Sequence, residues 1–340
     1  MQNNRNNNVT SMANCPPTPD GALEKGINTK NEGFHVDNEK CLLDYAANVL
    51  KERDLRKKAA LTIEAYKLWE ENLLPVAPTE YEERKSKSHI APEYPGRPLN
   101  ANTLAPGKMK SLGKGRSQAS RIAMVHSFAH IESYAIDLSW DIILRFHSKE
   151  MPPKVALPKE FYGDWLKVAW DEARHFTMWA DRLLELGSEY GTLPVHDGLW
   201  QSAMETKENL LDRLAIIHMV HEARGLDVTP KVDCIRLCMS IAKFNGGGDK
   251  KSAALMNEIY IDEITHVEAG VRWFKFLCEK LRIDPIQSFH EIVRKNFRGN
   301  LKPPFNTKAR EDAGFTEAWY LPLVSKKEGK SRSKTSEEAK

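Results

Sequence analysis

Between residues 165 and 186 the chain reads WLKVAWDEARHFTMWADRLLEL. Stepping by threes and fours from Glu172 collects Trp165, Val168, Ala169, His175, Phe176, Trp179 and Leu183. An acid and a histidine therefore share the apolar stripe of an amphipathic helix. Three other segments carry stripes of the same kind. One holds Val125, Phe128, Ala129, Glu132, Ala135 and Ile136; another holds Leu211, Ala215, His218, Met219, Glu222 and Leu226. The last holds Met256, Ile259, Tyr260, Glu263, His266, Val267, Gly270 and Phe274. The pattern predicts four long helices, over about 117–147, over 158–190, ending near residue 227, and over 249–282. A shorter helix is expected over 232–244, closed by Gly246, Gly247 and Gly248.

Outside these segments, residues 41–74 read as helical, with Pro75 and Pro78 ending the run. Six prolines between residues 75 and 116 predict a long loop. HDGLWQSA and its neighbours are expected to carry the chain from the second long helix back to the third. The Asn- and Pro-rich residues 1–39 and the tail SKKEGKSRSKTSEEAK lack periodicity and are expected to be disordered. Strand signals are nearly absent, so the class is all-α. The organisation follows: an N-terminal region (1–39), a helical extension with its loop (40–116), a four-helix body (117–300) and a C-terminal segment with a charged tail (301–340).

The polar residues within the stripes occur in the order Glu, Glu-x-x-His, Glu, Glu-x-x-His. Glu132 and Glu172 lie 40 residues apart, and Glu222 and Glu263 lie 41 apart, which is the signature of a duplicated two-helix unit. A buried carboxylate costs several kcal/mol unless a positive group pairs with it. Two divalent metals would bring four charges to offset Glu132, Glu172, Glu222 and Glu263, with His175 and His266 completing an oxygen and nitrogen set. That set suits iron or manganese rather than calcium. The arrangement is the known donor order of dimetal-carboxylate bundles. A pair of satisfied core polar groups is the competing explanation. Glu32-Gly-Phe-His35 also has the spacing, but it lies on no apolar stripe and is set aside.

Further residues take supporting roles in this reading. Asp171 and Asp262 precede the two ligand pairs and are assigned to the imidazole N–H groups, as metal-bound histidines usually require. Arg174 is placed to neutralise one of them. His218 is read as a core histidine, with a seventh ligand or a pocket acid/base as alternatives. Tyr260 is read as packing, with assistance to electron transfer as its alternative. His126 and His130 lie on another face and are given no catalytic part.

A formal net charge of +3 does not by itself argue for a nucleic-acid or membrane partner. No run of 18 apolar residues and no signal-peptide pattern is present, and the five cysteines are odd in number and scattered. A soluble, cytoplasmic protein is therefore expected. From residue 94 to residue 131 there are six basic residues (Arg97, Lys108, Lys110, Lys114, Arg116 and Arg121) and no acid. This run is read as a solvated basic loop, with RNA or a phosphorylated small molecule as the alternative partner.

The six-residue set Glu132, Glu172, His175, Glu222, Glu263 and His266 resembles that of the ferritin-like diiron superfamily. HIESYAIDLSWD, YGTLPVHDGLW, HEARGLDVTP and DEITHVEAGVRWF, within about residues 90–300, resemble the domain-of-unknown-function family 455. That family is distantly similar to the diiron tRNA hydroxylase that acts on an isoprenylated adenosine. The resemblance implies a ferritin-like four-helix bundle with an N-terminal helical extension and an extra helix between its third and fourth members. It also implies two Fe (or a Mn/Fe pair), O2 as co-substrate, a reductase or ferredoxin as electron donor, and a small-molecule or RNA substrate. The expected function is that of a monooxygenase-like hydroxylase. A ferroxidase without organic substrate, a tRNA-modifying hydroxylase and a purely structural metal pair are the alternatives; the oligomeric state stays open.

Overall fold

Every regular element of the computed structural model is helical. The described residues are 40–77, 89–99, 101–109, 112–148, 150–227, 236–299 and 301–324, and those from Lys40 onward belong to one compact unit. The expectations for residues 1–39, for the tail and for Cys15, Cys234 and Lys110 fall outside them. Among the described residues there is no strand, only isolated bridges joining Thr103 to Val195 and Leu301 to Val324.

The chain begins with α1 (Leu42–Lys51) and α2 (Leu55–Glu70). One continuous helix was expected here. It breaks because Asp54 turns its carboxylate onto the N–H groups of Arg56 and Lys57, capping a new helix. The Pro-rich segment docks into the break: Gly96 N–H donates to the Leu50 carbonyl at 2.6 Å, and Lys58 Nζ donates to the Gly96 carbonyl at 3.1 Å. A Cβ at Gly96 would sit closer than 3.0 Å to the carbonyl oxygens of Lys51 and Glu52, so the approach requires glycine.

The four long helices follow. α3 (Gln118–Arg145) is capped by Ser117, and α4 (Lys159–Glu185) starts after Pro158. α4 stops five residues short of the expected end because Gly187 adopts a left-handed φ of 77° and Ser188 N–H bonds back to the Leu183 carbonyl. The predicted crossover contains α5 (Gly198–Met204), whose Trp200 is buried with its indole N–H on the Glu93 carbonyl. The third long helix, α6, has three parts: α-helical Leu210–Arg213, π-helical Leu214–His221, and α-helical Glu222–Leu226. After α7 (Arg236–Gly246) comes α8 (Lys250–Leu281), capped by Asp249. Three shorter helices close the described chain: α9 (Pro285–Asn296), α10 (Thr307–Asp312) and α11 (Glu317–Tyr320).

The packing is that of a helical bundle with covering layers. α3 packs on α4, α6 on α8, and α4 on α8; α1 and α2 cover α3 and α4, and α9 covers α6. α3 is consequently buried on all sides from Glu132 to Leu144. Its inward acids are met by cations: Asp137 pairs with Lys58 and Arg97, and Asp141 with Arg145 and Arg213. At the C-terminal end Arg310 is buried against Asp227, with its guanidinium 4.4 Å above the Tyr320 ring.

Candidate metal centre

Four of the predicted donors come together directly. Glu132 on α3, Glu172 and His175 on α4, and Glu263 on α8 each place a ligand-type atom within 4.8 Å of the others, and all four are buried. His266 joins them from α8, with Nδ1 3.1 Å from Glu172 Oε1 and 3.8 Å from Glu263 Oε2. On the opposite side His175 Nδ1 is 3.5 Å from Glu172 Oε2. Glu172 therefore lies between the two imidazoles. Glu222, half-buried at the end of the π segment, stays outside this tight group but is close enough to feel the charges of Glu263 and Glu172.

The helical spacing explains why these side chains converge. An i, i+3 pair stacks Glu and His on one face, and that face is the buried one on α4 and α8. Local sequence does not explain the π turn before Glu222. Its residues, LAIIHMVH, are nearly all buried and apolar, a composition that suits either helical register.

Bringing four carboxylates into one interior strains their ionisation. Burial, then Glu172 and Glu263, push Glu132 well above the usual carboxylate range. Burial, then Glu263 and Glu172, do the same to Glu222. Glu263 rises to about 7 from burial and the Glu172 charge. Burial would raise Glu172 too, but the imidazoles of His175 and His266 on either side of it outweigh that and hold it below the ordinary range. Burial opposes charge on His175, yet Asp262 and Glu172 lift it to about 9. His266 is raised well above an ordinary histidine by Asp171 and Glu172, against the opposing effect of burial. Protons thus hold together a cluster whose charge a cation would balance better.

The two aspartates orient the imidazoles, and they do so across helices. His175 Nε2 lies 3.0 Å from Asp262 Oδ2 on α8, while His266 Nε2 lies 3.3 Å from Asp171 Oδ2 on α4. Arg174 serves both acids rather than one, at 3.2 Å from Asp171 and 3.5 Å from Asp262. Sequence reasoning passed over Lys167, whose Nζ is 2.6 Å from Asp171 Oδ2; its i, i+4 spacing was the available signal. With Nε2 held by a carboxylate, each ring aims Nδ1 into the cluster. His175 Nδ1, His266 Nδ1 and Glu172 Oε2 are all buried without a hydrogen-bond partner. Orphaned donor atoms of this kind, facing excess carboxylate, fit a metal ion, so the buried Glu/His cluster could hold one.

The remaining predicted residues lie around the cluster. His218 is buried with neither ring nitrogen bonded, its ring centroid 4.1 Å from that of Trp165, and burial drives its pKa well below the ordinary value. It lies on α6 against Trp165 of α4. Tyr260 accepts a hydrogen bond from Asn306 at 2.9 Å, which ties α8 to the C-terminal segment. His126 accepts from the Gly191 N–H, and His130 is held between the Tyr190 hydroxyl and the His196 carbonyl. The basic run is not a uniform surface: Arg97 turns inward to Asp137, and Arg121 bonds to backbone carbonyls of Arg116 and Gly247. Among its described members Lys108, Lys114 and Arg116 remain exposed.

Among the described residues no helix is long and apolar enough to cross a membrane. Residues 51–321 match the family described as "Protein of unknown function (DUF455)". The chain is also 35% identical over 195 residues to an "Uncharacterized protein" of Haemophilus influenzae. That alignment covers 57% of this chain and 65% of the relative, so the chain spans less than two thirds of the relative's length. No solved structure matches.

Proposed function

The chain belongs to that family of unknown function, and we propose that it is a ferritin-like, non-haem diiron oxidoreductase of the hydroxylase type. The reading rests on one observation: donor atoms of Glu132, Glu172, His175 and Glu263, from three helices, meet within 4.8 Å of one another, with His266 beside them. Glu132, Glu172 and His175 would serve one metal, and Glu222, Glu263 and His266 the other. Two irons bound there would supply O2-binding positions and redox capacity for oxygenating an organic substrate, with electrons from an external donor.

The protein's own contribution is placement and exclusion. Asp262 and Asp171 hold Nε2 of each histidine, which would leave Nδ1 free to take a metal. Arg174 and Lys167 offset the charge of those aspartates, leaving the carboxylates of the cluster to respond to the metals. Trp165, Phe176 and Trp179 on α4 and Val267 on α8 are buried on the same helices as the donors, and such burial would keep bulk water away. α1, α2 and the segment after α8 add covering layers that iron storage alone does not need. They favour a substrate-bearing enzyme over a ferroxidase. The inward turn of Arg97 weakens the RNA-substrate alternative, because it removes one cation from the run that suggested it.

Metal content per chain, measured after anaerobic Fe(II) loading, desalting and brief exposure to air, tests the proposal. Roughly two irons in the wild type, and clearly fewer in Glu172→Ala, support the dinuclear assignment. Many irons per chain would indicate storage, and none in either protein would leave the cluster a structural feature.

A further inference from the structure

A second set of donor atoms meets at the start of α1, away from the bundle carboxylates. Cys41 Sγ, an Asp44 carboxylate oxygen and a ring nitrogen of His89 all lie within 4.8 Å of one another. Cys41 and Asp44 belong to the first turn of α1, and His89 to the segment that leads to Gly96 and Arg97. Cys41 Sγ is 3.1 Å from Asp44 Oδ2, and His89 Nε2 is 2.9 Å from Asp44 Oδ1. Cys41 is buried, His89 is nearly so, and the Asp44 side chain is 31% exposed, so the group has one face toward solvent.

A helix cap accounts for part of this. Asp44 Oδ2 accepts the Cys41 backbone N–H at 3.0 Å, and the Cys41 sulfur accepts from the Asp44 backbone N–H, which completes a capping box. A cap needs neither a thiol nor an imidazole. Serine, threonine, aspartate and asparagine cap best, whereas a thiol is a weak hydrogen-bonding group. Thiolate, imidazole and carboxylate together are a donor set suited to zinc. The thiolate and carboxylate carry two negative charges, which balance a divalent ion and offset the unfavourable dipole that a helix N-terminus presents to a cation. Without an ion, burial first and Asp44 second keep the thiol protonated, raised to about 12.

We infer that Cys41, Asp44 and His89 form a mononuclear zinc site with water at its fourth position, distinct from the carboxylate cluster. The ion would fasten the segment bearing Gly96 and Arg97 to the start of α1. It would thereby support the contacts that those two residues make with Leu50 and Asp137.

Cobalt(II) titration of the metal-stripped full chain tests the assignment, because thiolate-to-cobalt charge transfer requires a sulfur ligand and the carboxylate cluster contains none. Wild type and Glu172→Ala should both develop this absorption with one Co(II) per chain. Cys41→Ser should lose it, and His89→Ala should weaken that Co(II) affinity by roughly tenfold or more. Serine is a good N-cap, so Cys41→Ser should stay folded, and His89→Ala tests the site independently if it does not. No thiolate absorption in the wild type, or absorption that survives Cys41→Ser, overturns the site. Either failure leaves the carboxylate cluster untouched, since that centre is read by its own loss in Glu172→Ala.

Discussion

His175 on α4 presents Nε2 to Asp262 on α8 at 3.0 Å. His266 on α8 answers with a 3.3 Å approach to Asp171 on α4. Each aspartate precedes one Glu-x-x-His pair and orients the histidine of the other. The two halves of the centre are therefore coupled, and α4 and α8 cannot slide past one another without misaligning both imidazoles.

Removing either aspartate should loosen metal binding without removing a ligand. Asp262→Ala and Asp171→Ala are each expected to weaken Fe(II) or Mn(II) affinity by about 10–100-fold, as losses of this kind usually do. Asp171→Ala should also destabilise the metal-free protein, because it leaves His266 without its buried partner. Calorimetric titration checks both variants, and unchanged affinity in the two would rule out the orienting role.

The metal-free protein should lose stability as pH rises. Glu263 is raised from 4.5 to about 7 and His175 from 6.5 to about 9, so the fold binds more protons than the unfolded chain across those windows. Stability from these groups is present below their unfolded values and is lost as pH climbs through the folded ones. Glu172, held low, acts in the opposite sense below its ordinary 4.5. His126, His218 and His221, held low by burial, act in the opposite sense below 6.5, so the loss is expected above that value. Metal should reverse the trend, because its ligands must shed protons to bind. Thermal melts from pH 5 to 9, with and without Mn(II), should diverge increasingly toward high pH; parallel curves would contradict the prediction.

Gly270 brings the α8 backbone against the π segment. A Cβ there would sit closer than 3.0 Å to the carbonyl oxygen and carbon of His218. Backbone cannot step aside as a side chain can, so Gly270→Ala should cost about 1–3 kcal/mol despite the better helix propensity of alanine. Gly246→Ala, whose Cβ would meet nothing within 4 Å, serves as the control and should be near neutral. Urea unfolding of both variants provides the comparison.

Asp137 stands between two cations, Lys58 and Arg97, and both it and Lys58 are fully buried. Asp137→Ala should cost about 3–5 kcal/mol by leaving buried charge without a partner. Removing Lys58 together with Asp137, as in Lys58→Met with Asp137→Leu, should cost less than the single change, because only the less buried Arg97 then loses the carboxylate. Equal losses in the single and double variants would mean that packing, not charge, sets the penalty.

Much of this molecule follows from periodicity read along one chain. Glu and His on apolar stripes mark the four long helices and the six donors, because a 3.6-residue repeat is a local property that needs no partner to be visible. The breaks were less legible. The run expected as one N-terminal helix divides where Asp54 caps α2, and a segment forty residues later inserts Gly96 there; within the run only Asp54 announces it. The π turn before Glu222 was hidden for the opposite reason: a mostly apolar stretch accepts either register, and the segment packs against α8 and α9.

The sequence by itself determined which residue types face inward and at what intervals: the glutamates, the histidines and the aspartates that precede the two pairs. Tertiary structure alone decided the partners. Asp171 and His175 are one turn apart, and local spacing would join them, yet His175 goes to Asp262. Arg97 reads as part of a basic surface, yet it turns inward to Asp137, and Cys41 reads as an isolated thiol until His89 is brought beside it. The reason is physical: helical periodicity is imposed by bonds between near neighbours. Pairing of buried charges is settled by which surfaces exclude water together, and that depends on contacts between residues tens to nearly a hundred positions apart.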